Sequence, residues 1–190
     1  MMKSMPQPNS MRETSSALKK AVIIAIFAAV AAVLSVVETM IPMGVQIPGI
    51  KLGLANIMVL TCLYFMKGRD AFSLIILKTI LTAFLFGTFS VFLFSFFGAL
   101  FSFVVMLLLM KLGKKEFSLT GISIAGGIFH NIGQLTAAMI VMKSSVIFYY
   151  LPALMFSGVV TGVFIGIAVR YLTAALSKLS LFESFLAEEA

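Results

Sequence analysis

An all-α membrane protein, built as a bundle of six transmembrane helices, is the fold this sequence predicts, and three observations predict it. The 190 residues are 61% hydrophobic and only 11% charged, with a mean hydropathy of +1.13, far above a soluble globular domain. The apolar residues are gathered into successive runs, most of them long enough to cross a bilayer. The breaks between runs carry basic residues, as at Lys67-Gly68-Arg69-Asp70 and at Lys111, Lys114 and Lys115.

Residues 1–17 are polar, carry Lys3 and Arg12, and read as a flexible cytoplasmic tail. The apolar run from Ala21 to Val37 is too long for a signal peptide and lacks a clear small-residue cleavage site. It forms the first helix, about Leu18 to Met40, crowded with Ala21, Ala25, Ala28, Ala29, Ala31 and Ala32. The pairs Ala25/Ala29 and Ala28/Ala32 are one turn apart and make a smooth face for a partner helix, internal or external. Glu38, the only acid within a span, either caps a site or sits in interfacial water.

Ile41 to Lys51 holds Pro42, Gly44, Pro48 and Gly49, a spacing no regular helix keeps, and reads as a structured or re-entrant loop. A short second helix ends at Met66, with Lys51 and Asn56 at its loop end. The third helix, Ala71 to Phe86, contains Lys78, which either snorkels to the interface or offers its charge to an anionic ligand. The fourth, Val91 to Leu109, is rich in phenylalanine, a pattern of lipid contact or core packing.

The fifth helix, Thr120 to Met142, contains Gly126-Gly127-Ile128-Phe129-His130-Asn131-Ile132-Gly133-Gln134, with the only histidine of the chain. Polar side chains at membrane depth are costly unless they face protein or a water-filled cavity, so they are functional candidates by default. The sixth helix, Val146 to Val169, carries Gly158, Gly162 and Gly166 as one packing ridge. Residues 173–190 read as a cytoplasmic amphipathic tail, leaving 18–172 as a single six-helix transmembrane substrate-binding domain.

Basic residues orient the bundle. With the amino terminus inside, Lys3, Arg12, Lys19, Lys20, Lys67, Arg69, Lys111, Lys114, Lys115, Arg170 and Lys178 are cytoplasmic, against Lys51 and Lys143 outside. Both termini are therefore expected in the cytoplasm, and the Ile41–Lys51 loop faces outward as a lid.

Composition also excludes chemistry. One cysteine, Cys62, permits neither an internal disulfide nor a Cys-rich metal site. Seven scattered acids do not supply clustered carboxylates for magnesium, so no metal and no cofactor is expected. The net charge of +7 follows from topology, and nucleic acid is not an expected partner. No nucleophile stands with a base, so no catalytic residues are assigned and the chain is expected not to be an enzyme, although a membrane enzyme using His130 stays open. The polar inventory of the spans, Lys51, Asn56, Lys78, His130, Asn131 and Gln134, is rich in donors and suits a small anionic or carbonyl-bearing substrate.

The alanine pattern of the first helix, together with Pro48-Gly-Ile-Lys-Leu-Gly-Leu-Ala-Asn56 and Gly126-Gly-Ile-Phe-His-Asn-Ile-Gly-Gln134, resembles the Gx transporter family, also called heptaprenyl diphosphate synthase component I. That family is similar to the S components of energy-coupling factor (ECF) transporters. The resemblance implies a multi-pass subunit of a prokaryotic cell membrane that captures substrate outside and works with a transmembrane T component and two ABC ATPases. It implies contact of Ala25, Ala28, Ala29 and Ala32 with the T component, and toppling in the membrane lipid to release cargo. The name hints at an isoprenoid or quinone-precursor substrate. A non-catalytic membrane subunit associated with a prenyl diphosphate synthase is the alternative; synthases of the usual kind resemble one another in Asp-rich motifs, and this chain has one aspartate, Asp70.

Overall fold

Apolar runs of 18 residues or more have one way to satisfy their backbone in hydrocarbon, the α-helix, and helices account for nearly all of the structure. The computed structural model describes residues 9–40, 51–86, 88–113, 116–179 and 181–182. Six α-helices follow in order: α1 Asn9–Thr39, α2 Asn56–Phe65, α3 Gly68–Phe86, α4 Phe89–Gly113, α5 Leu119–Met142 and α6 Leu151–Leu176. A 3-10 turn at Ser145–Tyr150 precedes α6, and no strand occurs among the described residues. Four stretches are long and apolar enough to cross a membrane: Ser16–Glu38, Phe89–Gly113, Leu119–Met142 and Ser145–Leu176.

Two elements fall outside that set for different reasons. Helix α3 spans 19 residues but carries Arg69, Asp70 and Lys78. Helix α2 has only 10 residues, eight of which are buried, among them Leu60 and Phe65. It is the interior post of the bundle, in contact with α1, α3, α4 and α6.

The helix limits correct the sequence reading at both ends. Helix α1 begins at Asn9, so Asn9 to Ala17, expected in the tail, continue the helix. That stretch lacks glycine and proline, whose absence removes the usual reasons to stop. The sixth helix, expected from Val146, starts at Leu151 because Pro152 has no N–H to give and is tolerated only in the first turn. It runs past the expected Val169 and the expected domain edge at 172, to Leu176. The Ile41–Lys51 lid lies outside the described residues but for Lys51 itself, and so does the end of the amphipathic tail, 183–190.

Helix α5 is the hub, packing extensively on both α4 and α6. Its glycines are where neighbouring backbones come nearest. A Cβ at Gly127 would lie 2.4 Å from the Gly158 carbonyl oxygen, and one at Gly133 would lie 2.4 Å from the Phe97 carbonyl oxygen. The ridge on α6 answers in register: a Cβ at Gly162 would meet Ile124 Cα at 2.5 Å and one at Gly166 would meet Thr120 Cα at 2.6 Å. Gly126, Gly127 and Gly133 thus make room for helix packing, the same use that small residues have wherever membrane helices approach closely.

The phenylalanines of α4 form a ladder of ring contacts, Phe89–Phe92–Phe96–Phe97–Phe101, with centroids 5.9–6.5 Å apart. Phe94 and Phe103 turn inward and are buried. The outer face of α1 exposes Val22, Ile26, Val30 and Val33, as a lipid-facing helix does.

Because the neighbour at Gly133 is backbone and cannot give way, Gly133→Ala is expected to cost about 1–3 kcal/mol or more through overpacking. Ala25→Leu, on the exposed face of α1, is expected to leave stability within about 0.5 kcal/mol. Thermal unfolding of the two purified variants in detergent beside the parent chain checks both.

Candidate functional site

A segment of five residues, Lys51 to Ala55, leads into α2, and the carbonyls of Gly53, Leu54 and Ala55 accept from the N–H groups of Asn56, Ile57 and Met58. Lys51, Gly53 and Ala55 are buried, and the remaining backbone groups of the segment must find partners elsewhere. The α5 side chain of Gln134 supplies two of them. Lys51 N–H donates to Gln134 Oε1 at 2.7 Å, and Gln134 Nε2 donates to the Lys51 carbonyl at 2.7 Å. The α1 side chain of Glu38 supplies a third, accepting a hydrogen bond from Gly53 N–H.

Gly53 holds φ of +90°, a conformation that disfavours a side chain, and a Cβ there would stand 2.9 Å from the His130 ring. On the far side of that ring, a Cβ at Gly98 would lie 2.8 Å from His130 Cε1. His130 is thus held between two glycines of different elements, and its side chain is 3% exposed.

These contacts enclose a cavity. Ser35 and Glu38 reach it from α1, and Lys78, Thr79 and Thr82 from α3. Lys51, Gly53 and Ala55 close it from the segment before α2, with Ser95 on α4 and His130 and Gln134 on α5. Its volume is ≈ 10 Å3, room for about one water. Glu38 lies within electrostatic reach of both Lys51 and Lys78. Lys51 Nζ sits 4.0 Å from the centroid of the Phe86 ring, a cation–π contact.

Three polar atoms around this cavity are buried without a hydrogen-bond partner in the protein: Lys51 Nζ, Ser95 Oγ and His130 Nδ1. Such atoms are rare and call for an explanation where they occur. Three of them on one cavity describe a set of groups ready for a polar guest. Thr79 and Thr82 donate their hydroxyl hydrogens to carbonyls of their own helix, Ile75 at 2.8 Å and Lys78 at 2.8 Å, which leaves their oxygens as acceptors.

Of the six expected site residues, Lys51, Lys78, His130 and Gln134 meet at the cavity. Asn56 and Asn131 do not line it. Asn56 Nδ2 donates to Ser102 Oγ at 3.2 Å, tying α2 to α4, and Asn131 Nδ2 donates to the Leu154 carbonyl at 2.6 Å, tying α5 to α6. The alanine face divides as well: Ala28 and Ala32 are buried within the bundle, while Ala25 and Ala29 are exposed.

Sequence reasoning left Glu38 between two roles and passed over Ser35, Thr79, Thr82 and Ser95. A usable signal existed in the spacing. Ser35 stands three residues before Glu38, and Thr82 four after Lys78, so each shares the face of a charge already singled out. No group of three or more His, Cys, Asp or Glu able to hold a metal occurs among the described residues.

Replacing Gln134 by Leu removes both tethers of Lys51 with an apolar side chain of comparable size. The backbone amide of Lys51 is then expected to lose most of its hydrogen-exchange protection while amides in the middle of α5 keep theirs, at a stability cost of about 1–3 kcal/mol. Exchange mass spectrometry of the purified chain reads this directly.

A family described as heptaprenyl diphosphate synthase component I matches residues 27–172 of the chain. No curated protein and no solved structure matches it.

Proposed function

We propose that this chain, which belongs to the heptaprenyl diphosphate synthase component I family, is the substrate-binding membrane subunit, or S component, of an ECF-type ABC importer. The observation that carries the reading is the convergence of Lys51 Nζ, Ser95 Oγ and His130 Nδ1, all buried and without protein partners, on one cavity. Lys78 and Gln134 complete the set that would hold a small anionic substrate, with Asn56 and Asn131 fixing the helices behind it.

Membrane placement follows the basic residues. Six spans with both termini cytoplasmic put the Lys67–Arg69 turn and Lys111 inside, and the end of α1 with Lys51 and Glu38 outside. In that orientation the cavity lies toward the exterior, with residues 41–50 leading into the segment that closes it. Ala25 and Ala29, small and exposed on α1, form the docking face for a T component, and two ABC ATPases bound to it would supply the energy. Ala28 and Ala32 serve the inside of the bundle.

The family description supports a second reading, a non-catalytic membrane partner of a prenyl diphosphate synthase. Catalysis by the usual Asp-rich mechanism needs more than the single Asp70, whose carboxylate accepts a hydrogen bond from Lys67 N–H at 3.2 Å. The two readings differ in what travels with the chain through gentle solubilisation. Native mass spectrometry of the protein from its own membranes is expected to find a T component and ATPases; a soluble synthase in their place would establish the second reading.

Within the importer reading, two variants separate the two surfaces. Lys78→Gln is expected to lose retained small molecule while keeping partner chains. Ala29→Phe is expected to do the reverse, retaining cargo and shedding the T component. The same native spectra score both.

A further inference from the structure

Two features of the cavity define its guest more narrowly than its donors alone. The first is its wall. Of the eleven lining residues only Gly53 and Ala55 lack a polar side chain, so a guest meets polar groups from α1, α3, α4, α5 and the segment before α2. The second is its charge. With all three groups ionised, Lys51 and Lys78 contribute two positive charges and Glu38 one negative charge, a formal balance of +1. Buried charge is costly unless paired, so the guest that closes this balance carries a single negative charge.

A phosphate monoester carries about −1.5 to −2 and a diphosphate more, which would leave excess negative charge beside Glu38. Hydrogen-bond capacity points the same way. Lys51 Nζ, the buried ammonium without a hydrogen-bond partner, faces the anionic group. The oxygens of Thr79 and Thr82, already committed as donors elsewhere, can only accept, and they need hydroxyl or amide hydrogens on the guest.

We propose that Glu38 is the specificity-determining residue of this site, and that the site takes a compact, hydrophilic monoanion bearing hydroxyl groups and excludes prenyl diphosphates. The inference rests on reading the cavity as a binding site. Glu38 acts in two ways: it repels a second negative charge, and through Gly53 it holds shut the segment that carries Lys51. In the tethered arrangement the cavity has room for about one water. Admission of a guest therefore requires release of Lys51 to Ala55 from Glu38 and Gln134.

The test uses the full chain purified in detergent and two probes of similar carbon number: mevalonate, a monocarboxylate with two hydroxyls, and isopentenyl diphosphate. Thermal-shift titration is expected to show stabilisation by mevalonate alone, with apparent affinity falling by about tenfold or more in Lys78→Gln, the scale of losing a hydrogen bond to a charged group. Glu38→Gln keeps an acceptor for Gly53 N–H while removing the charge, and is expected to gain stabilisation by isopentenyl diphosphate. Retained helicity and a single gel-filtration peak confirm that each variant is folded. Stabilisation of the parent chain by isopentenyl diphosphate, abolished in Lys78→Gln, would overturn the inference and leave the binding-subunit reading standing. Stabilisation by neither probe would overturn the inference, and absence of any retained small molecule in native spectra of the same preparation would overturn the binding-subunit reading as well.

Discussion

A stretch of irregular backbone inside an apolar bundle can exist only if something other than itself satisfies its N–H and C=O groups. The paired hydrogen bonds between the Gln134 side-chain amide and the Lys51 backbone, with the carboxylate of Glu38 on Gly53, meet that requirement. Much else follows from it. Helix α2 can be as short as 10 residues because the segment ahead of it is held from the side. The left-handed turn at Gly53 lets that segment pass over the His130 ring, and Gly98 on α4 admits the ring from the other side. Lys51, Lys78 and Glu38 come within reach of one another because the segment is drawn between α1 and α5.

The bundle is held together by two kinds of contact with different mechanical character. Helices α4, α5 and α6 meet backbone to backbone at glycines, where displacement of a few tenths of an ångström already brings atoms into collision. Helix α1 and the segment before α2 are joined to the rest, at the cavity, by side-chain hydrogen bonds that can be exchanged for others at modest net cost. The cavity lies along the seam between these two parts. A site placed there can open without disturbing the packed half.

The all-helical character was legible, and so were four of the six expected spans, those long and apolar enough to cross a membrane, because hydropathy and helix length report the same physical demand. The glycine ridge Gly158, Gly162 and Gly166 was legible as packing for the same reason, since its spacing and its partners lie on regular helices. What the sequence did not resolve depends on distance through space. Asn131 looks like His130 on paper, one residue along a polar stretch, yet it turns to the Leu154 carbonyl while His130 turns to the cavity. Glu38 stayed between capping a site and sitting in interfacial water because it lies near the end of its helix. It is buried because the Lys51–Ala55 segment folds back over it.

The sharing of α5 between packing and site limits how this protein can diversify. His130 and Gln134 occupy the same helix whose glycines fix α4 and α6, so a change of size there disturbs the whole bundle. Ser35 on α1 and Thr79 and Thr82 on α3 carry no such second duty across a glycine contact. Substitutions at Ser35, Thr79 and Thr82 can therefore reshape the cavity while the α4–α5–α6 packing stays as it is, and an engineer seeking to alter the cavity would begin on those walls.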